Sequence, residues 1–219
     1  MSIVTLVRHG QANTGATDEE SYDNLSDLGR DQARWLAEYV KRSAYAPDRI
    51  VAGPLHRQRQ TAEIVAEALR MDIETDERLR EFDYFGLSQS ANNTHAMPFP
   101  TDRPGFMTHI PQVMEMWSNG IIDSPRESFA DFSTRIAGVM ADAEKRDGRT
   151  MLVTSGGVVS MAVRTILSLD MGAFAHVMMQ VHNSSMHRYV LENGERRLDT
   201  FNATPHLDLP DRVAARTYT

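Results

Sequence analysis

The chain of 219 residues contains no cysteine. This excludes disulfides and thiolate metal sites and fits an expected place in the cytoplasm. No stretch approaches the roughly 18 consecutive apolar residues of a membrane span. No basic segment precedes the apolar start Met1-Ser2-Ile3-Val4-Thr5-Leu6-Val7, which runs directly into Arg8-His9, so the start does not read as a signal peptide. Excess positive charge is missing as well. A net charge of −7 argues against nucleic acid or a membrane surface as partner, since both attract a positive field. A small anionic substrate stays open wherever basic side chains converge. Repeats and low-complexity tracts are absent. What remains is 41% hydrophobic and 24% charged residues, ordinary for a globular protein with a real core. The length suits one domain over 1–219 carrying an insertion.

The apolar pattern alternates between short and long periods. Ile3 to Val7 is a β-branched run that predicts a buried strand. Ser26-Asp27 opens a helical stretch through Leu28, Ala33, Leu36, Tyr39 and Val40. Ile50-Val51-Ala52 ends at Gly53-Pro54 as a strand meeting a turn, and Thr61 to Leu69 continues helically. Phe129, Phe132, Ile136, Val139, Met140 and Ala143 make an amphipathic helix, with Ser128 as its cap. Thr150 to Thr154 predicts another strand, and Val158 to Leu169 a buried helix. Ser185 to Leu191 and Arg197 to Phe201 predict closing strands around an Asn193-Gly194 hairpin. The expected fold is α/β: a three-layer sandwich with helices on both faces of a mostly parallel sheet and an antiparallel last pair. Residues 82–125 break the rhythm without a clear period, and their apolar content predicts an ordered lid or cap.

Arg8-His9-Gly10 follows the first strand, where ligands bind in open α/β sheets. A neutral imidazole can attack phosphorus, and a guanidinium binds phosphoryl oxygens in a planar fork. Gly10 would let the backbone approach the ligand closely. The second element is Gly53-Pro54-Leu55-His56-Arg57-Gln58-Arg59-Gln60-Thr61-Ala62. It resembles the histidine phosphatase (phosphoglycerate mutase-like) superfamily motif Ser-Pro-Leu-x-Arg-x-x-Gln-Thr-Ala, with Gly53 in place of the serine. The resemblance implies a phosphoglycerate mutase-like fold. It makes His9 the residue that becomes phosphohistidine and Arg8 and Arg57 the phosphate-binding arginines; Arg59 is a solvated helix charge. Leu79-Arg80-Glu81-Phe82-Asp83 matches the family's Leu-x-Glu. Glu81 is the first choice as proton donor to the leaving oxygen, with Asp83 in reserve.

One departure stands out. Thr154-Ser155-Gly156-Gly157 occupies the place of the family's Ser-His-Gly-Gly, so Ser155 stands where a second catalytic histidine is expected. The Ser155 hydroxyl with the Gly156 and Gly157 amides at a helix start still offers an anion site. A bacterial subgroup with Arg-His-Gly-Gln-Ala, Tyr-Asp-x-Leu-Ser, Glu-Phe-Asp, Thr-Ser-Gly-Gly and Asn-x-Ser is similar to this chain at Gln11-Ala12, Tyr22 to Ser26, Glu81 to Asp83, Thr154 to Gly157 and Asn183 to Ser185. The resemblance covers nearly everything outside 84–125. His182 is either a loop histidine or an imidazole restored to the pocket, and Gln11 joins it as an accessory position. The other histidines lack metal-ligand spacing, and the chemistry calls for neither metal nor cofactor.

Three functions fit: a phosphomonoesterase for a small phosphorylated metabolite, a phosphoglycerate mutase, and a weakly active phosphate-ligand binder or regulator. A mutase handling a bisphosphate would want several cations in the lid, yet residues 82–125 hold only Arg103 and no lysine. The phosphatase leads. Met97, Phe99, Phe106, Met107, Met114, Met116 and Trp117 either roof the pocket for an apolar leaving group or pack the lid onto the domain.

Overall fold

The computed structural model describes residues 1–13 and 22–218, apart from the side chain of Arg103. The strands are β1 (Ser2–Arg8), β2 (Arg49–Ala52), β3 (Ile73–Thr75), β4 (Gly148–Thr154), β5 (Met186–Glu192) and β6 (Glu195–Ala203). They form one six-stranded sheet in the order β3-β2-β4-β1-β5-β6. The first four in that order are mutually parallel, while β5 is antiparallel to both β1 and β6. The antiparallel part therefore begins one strand earlier than the hairpin alone predicts. At the hairpin, Asn193 and Gly194 both have positive φ, 53° and 82°, the geometry that matches strand twist in a two-residue turn.

Alternate side chains along the strands enter two cores. Val7, Ile50, Ala52, Met151 and Val153 face α1 (Asp27–Arg42) and α2 (His56–Leu69). Val4, Leu6, Val51 and Leu152 face α5 (Phe129–Glu144) and α6 (Gly156–Leu167), with α7 (Met171–Gln180) beyond. This is the predicted three-layer sandwich. Ser26 and Ser128 cap α1 and α5, accepting hydrogen bonds from Gly29 N and Asp131 N.

The segment read as aperiodic contains two helices, α3 (Tyr84–His95) and α4 (Arg103–Ser118). Asp83 and Asp102 cap them, and Pro104 occupies the first turn of α4, where its missing N–H costs nothing. Leu87, Ala91, Val113, Met114 and Trp117 join the core shared with α5 and α6. Met114 and Trp117 are thus packing residues rather than a roof, while Phe99 and Met107 are exposed.

Candidate active site

β1 and β4 lie side by side, with Arg8 paired to Thr154. The helices that follow them pack on opposite faces of the sheet, and in open α/β sheets ligands bind at the carboxyl ends of two such strands. His9 sits there, 3% exposed. Its peptide is held on all sides: His9 N donates to Thr154 O at 2.8 Å, while Ser184 N and the Asn183 side chain donate to His9 O at 3.1 and 3.4 Å. Imidazole Nδ1 lies 2.7 Å from Gly10 O. A carbonyl only accepts, so Nδ1 carries the hydrogen and Nε2 presents its lone pair. Arg57 Nε donates to that Nε2 at 3.3 Å. Burial, reinforced by the charges of Arg57 and Arg8, holds the His9 pKa well below the ordinary histidine value.

The two guanidiniums are fixed differently. Arg57 Nη1 donates to Asp23 Oδ1 at 2.8 Å, and the same carboxylate accepts from His56 N and Arg57 N at the start of α2. Asp23 thereby caps a helix and aims an arginine at once. Arg8 Nη1 donates to the carbonyls of Val181 and Tyr218. Arg8 makes no ion pair among the described residues, and its Nε is buried without a partner. A buried cation whose hydrogen bonds go only to carbonyls favours an incoming anion.

Glu81 packs against the first turn of α6. Its Oε2 accepts from Gly157 N at 2.8 Å and its Oε1 from Phe82 N at 3.1 Å. Burial raises its pKa, against the pull of the Gly157 amide and Arg57. A carboxyl so placed can hold a proton and release it to a leaving oxygen. Asp83, the reserve, spends Oδ1 capping α3 through Gly86 N at 2.9 Å.

Other expected residues have altered duties. The Gly157 amide is taken by Glu81, so of the double glycine Gly156 is left for an anion. Gly10 packs closely on Gly29: a Cβ on Gly10 would stand 2.3 Å from Gly29 O, so packing alone already requires glycine there. Gln11 ties the loop after β1 to the α1 cap, accepting from Ser26 Oγ at 2.8 Å. His182 makes no bond to His9; its ring lies against Tyr218, tilted 36° with centroids 4.5 Å apart, and burial lowers its pKa. Arg59 lies half exposed beside Glu63 at 3.7 Å, as expected of a solvated charge.

Sequence reasoning missed the roles of Asp23 and Gln58. Asp23 stood inside a recognised motif without a function, and Gln58 at an unassigned motif position. Gln58 Nε2 donates to Ser155 Oγ at 2.8 Å.

Comparisons with known proteins bear on the family and the fold. A probable phosphoglycerate mutase GpmB of Enterobacter sp. (strain 638) is 32% identical over 190 residues, covering 84% of this chain and 83% of that protein. The Proteus mirabilis protein of the same name is 29% identical over 202 residues, covering 87% and 85%. Among solved structures, phosphoserine phosphatase from Entamoeba histolytica bound to phosphoserine superposes with a TM-score of 0.69 at 20% identity, covering 94% of this chain and 100% of that one. A mycobacterial glucosyl-3-phosphoglycerate phosphatase gives 0.65 at 24% identity, covering 92% and 99%. The family model for the histidine phosphatase superfamily (branch 1) matches residues 4–204, and the chain belongs to that superfamily.

Proposed function

We propose that the protein is a phosphomonoesterase that works through a phosphohistidine at His9 on a small phosphorylated metabolite. The observation that carries this reading is the neutral imidazole with its Nε2 lone pair beside two buried arginines. His9 Nε2 attacks phosphorus, and the bond from phosphorus to the ester oxygen breaks with its electron pair leaving on that oxygen. Glu81 protonates the departing alkoxide. Water then attacks the phosphohistidine, passes its proton to the Glu81 carboxylate, and inorganic phosphate leaves with His9 restored. Arg8, Arg57, Ser155 and the Gly156 amide hold the phosphoryl oxygens, and Asp83, His182 and Gln11 act only as supports. The superfamily membership supports the reaction class. The net charge of −7 supports a small-molecule partner over nucleic acid. No described helix is long and apolar enough to cross a membrane, in keeping with work in the cytoplasm. Residues 82–125 then act as a lid built on α3 and α4.

The relatives named as mutases keep a second reading in view. Such an enzyme would return the phosphoryl group to a bound phosphoglycerate, and the scarcity of cations in 82–125 weighs against it. Turnover of an aryl phosphate, assayed beside interconversion of phosphoglycerates, separates the two. Release of phosphate that His9→Ala abolishes, with no interconversion, is the expected result. Interconversion outpacing phosphate release would reverse the assignment. Tight vanadate binding without either activity would make the protein a binder.

A further inference from the structure

Two departures from the family motifs meet in space. Gly53 stands where the motif has serine, and Ser155 where it has histidine. A Cβ on Gly53 would lie 2.1 Å from Gln58 Oε1 and 2.8 Å from Leu79 O, so the missing side chain is what makes room for Gln58. Gln58 is fully buried, and its amide has one allowed orientation. Oε1 accepts from Leu55 N at 3.2 Å, while Nε2 donates to Leu79 O at 3.1 Å and to Ser155 Oγ at 2.8 Å. Flipping the amide would set a donor against an N–H and an acceptor against a carbonyl.

The consequence falls on Ser155. Its Oγ receives the Gln58 hydrogen bond and is not used to cap α6. Its own hydrogen has no acceptor among the described residues. The residue is 1% exposed, so that hydrogen is available inside the site rather than to bulk water. The β1–β4 register, with Arg8 opposite Thr154, sets Ser155 beside His9.

We infer that Gln58 is a positioning residue: it fixes the Ser155 hydroxyl as a donor to the phosphoryl group at His9, so that Gly53, Gln58 and Ser155 together supply the oxygen contact that a second histidine would otherwise make. The inference rests on the reading of His9 as nucleophile. A donor aimed at charge that develops during transfer acts mainly on kcat.

The test measures kcat, KM and vanadate affinity for the native protein and the variants Gln58→Glu, Ser155→Ala, their double and Gly53→Ser, on an aryl phosphate. Glutamate keeps the size of glutamine but accepts, so it draws the serine hydrogen to itself. Gln58→Glu and Ser155→Ala are each expected to lower kcat by about tenfold or more with KM nearly unchanged. The double variant should fall within about twofold of the weaker single, because both remove one interaction. Gly53→Ser, whose Cβ would crowd both Gln58 Oε1 at 2.1 Å and Leu79 O at 2.8 Å, should lose at least as much as Gln58→Glu. Additive losses, a silent Gln58→Glu, or a fully active Gly53→Ser would overturn the inference. Should Gly53→Ser fail to fold, the cycle at 58 and 155 decides alone. Turnover that depends on His9 but ignores position 58 rejects only the inference. Turnover that survives His9→Ala rejects the underlying reading, and the inference with it.

Discussion

Two arginines separated by one residue in sequence have opposite surroundings. Arg57 is 5% exposed and bonds both Asp23 and His9, whereas Arg59 meets solvent and Glu63. Arg57→Lys keeps charge but loses the planar fork, and a loss of at least about tenfold in kcat/KM is expected, or roughly 1.4 kcal/mol of transition-state binding. Arg59→Lys should be nearly silent; equal effects in parallel kinetics would contradict the assignment. The titrating groups predict the pH profile. His9 must be neutral, and its lowered pKa moves the acid limb of kcat/KM below the ordinary histidine value of 6.5. Glu81 must be protonated, and its raised pKa moves the alkaline limb above the ordinary 4.5. Glu81→Gln should slow an alkyl phosphate by about 100-fold or more and an aryl phosphate far less, because an aryl oxygen leaves without a proton. Equal slowing of both esters would remove Glu81 from the proton-transfer role. The candidate pair His9–Arg57, which the fold brings within 3.3 Å, was legible because both lie in contiguous motifs at strand ends. Asp23 and Gln58 act through partners 34 and 97 positions away, and no local pattern marks such contacts.

The helix that follows β4 is positioned by its first turn. A Cβ on Gly157 would lie 2.4 Å from Glu81 Oε1 and 2.3 Å from Phe82 Cε1, while one on Gly156 would meet Arg8 Nε at an unstrained 3.6 Å. Gly157→Ala should therefore displace Glu81 and lower activity on alkyl esters severely, with Gly156→Ala close to native. The reverse order, read from kinetics and melting temperature together, would contradict this packing. Strands β1, β2 and β4 were legible as apolar runs, and α5 as a clean amphipathic period. The helices α3 and α4 were not, because α3 is rich in serine and asparagine and α4 carries Pro111 inside it. In α4 the apolar residues Phe106, Ile110, Val113, Met114 and Trp117 do recur at helical spacing, but Pro104 and Pro111 mask the pattern; both helices are held by packing of Leu87, Met114 and Trp117 on the common core. The strand β3 has three residues, only one of them apolar, and α7 lacks a polar face sharp enough to delimit it.

Across the whole molecule, buried histidines link folding to pH. His187 is fully buried, with Nε2 2.8 Å from Ser185 Oγ, and burial drives its pKa down to about 3. His206, bonded to Ser184, is likewise held at about 3. An unfolded histidine takes up a proton near 6.5, and the folded one resists it. Between pH 6.5 and about 3 the unfolded chain thus binds more protons, and stability must fall as pH falls. Melting temperature should decline through that window and change little above it on account of these groups; His187→Gln should flatten part of the decline, and an unchanged slope would contradict the assignment. In the proposed mechanism the ends of β1 and β4 present one reactive atom, Nε2 of His9. Incubation with a labile phosphodonor such as acetyl phosphate, followed by mapping of the modified residue, addresses that atom directly. The account predicts an acid-labile, alkali-stable phosphoryl group on His9 that His9→Ala eliminates. A label that persists in His9→Ala, or that maps to Ser155, would contradict it.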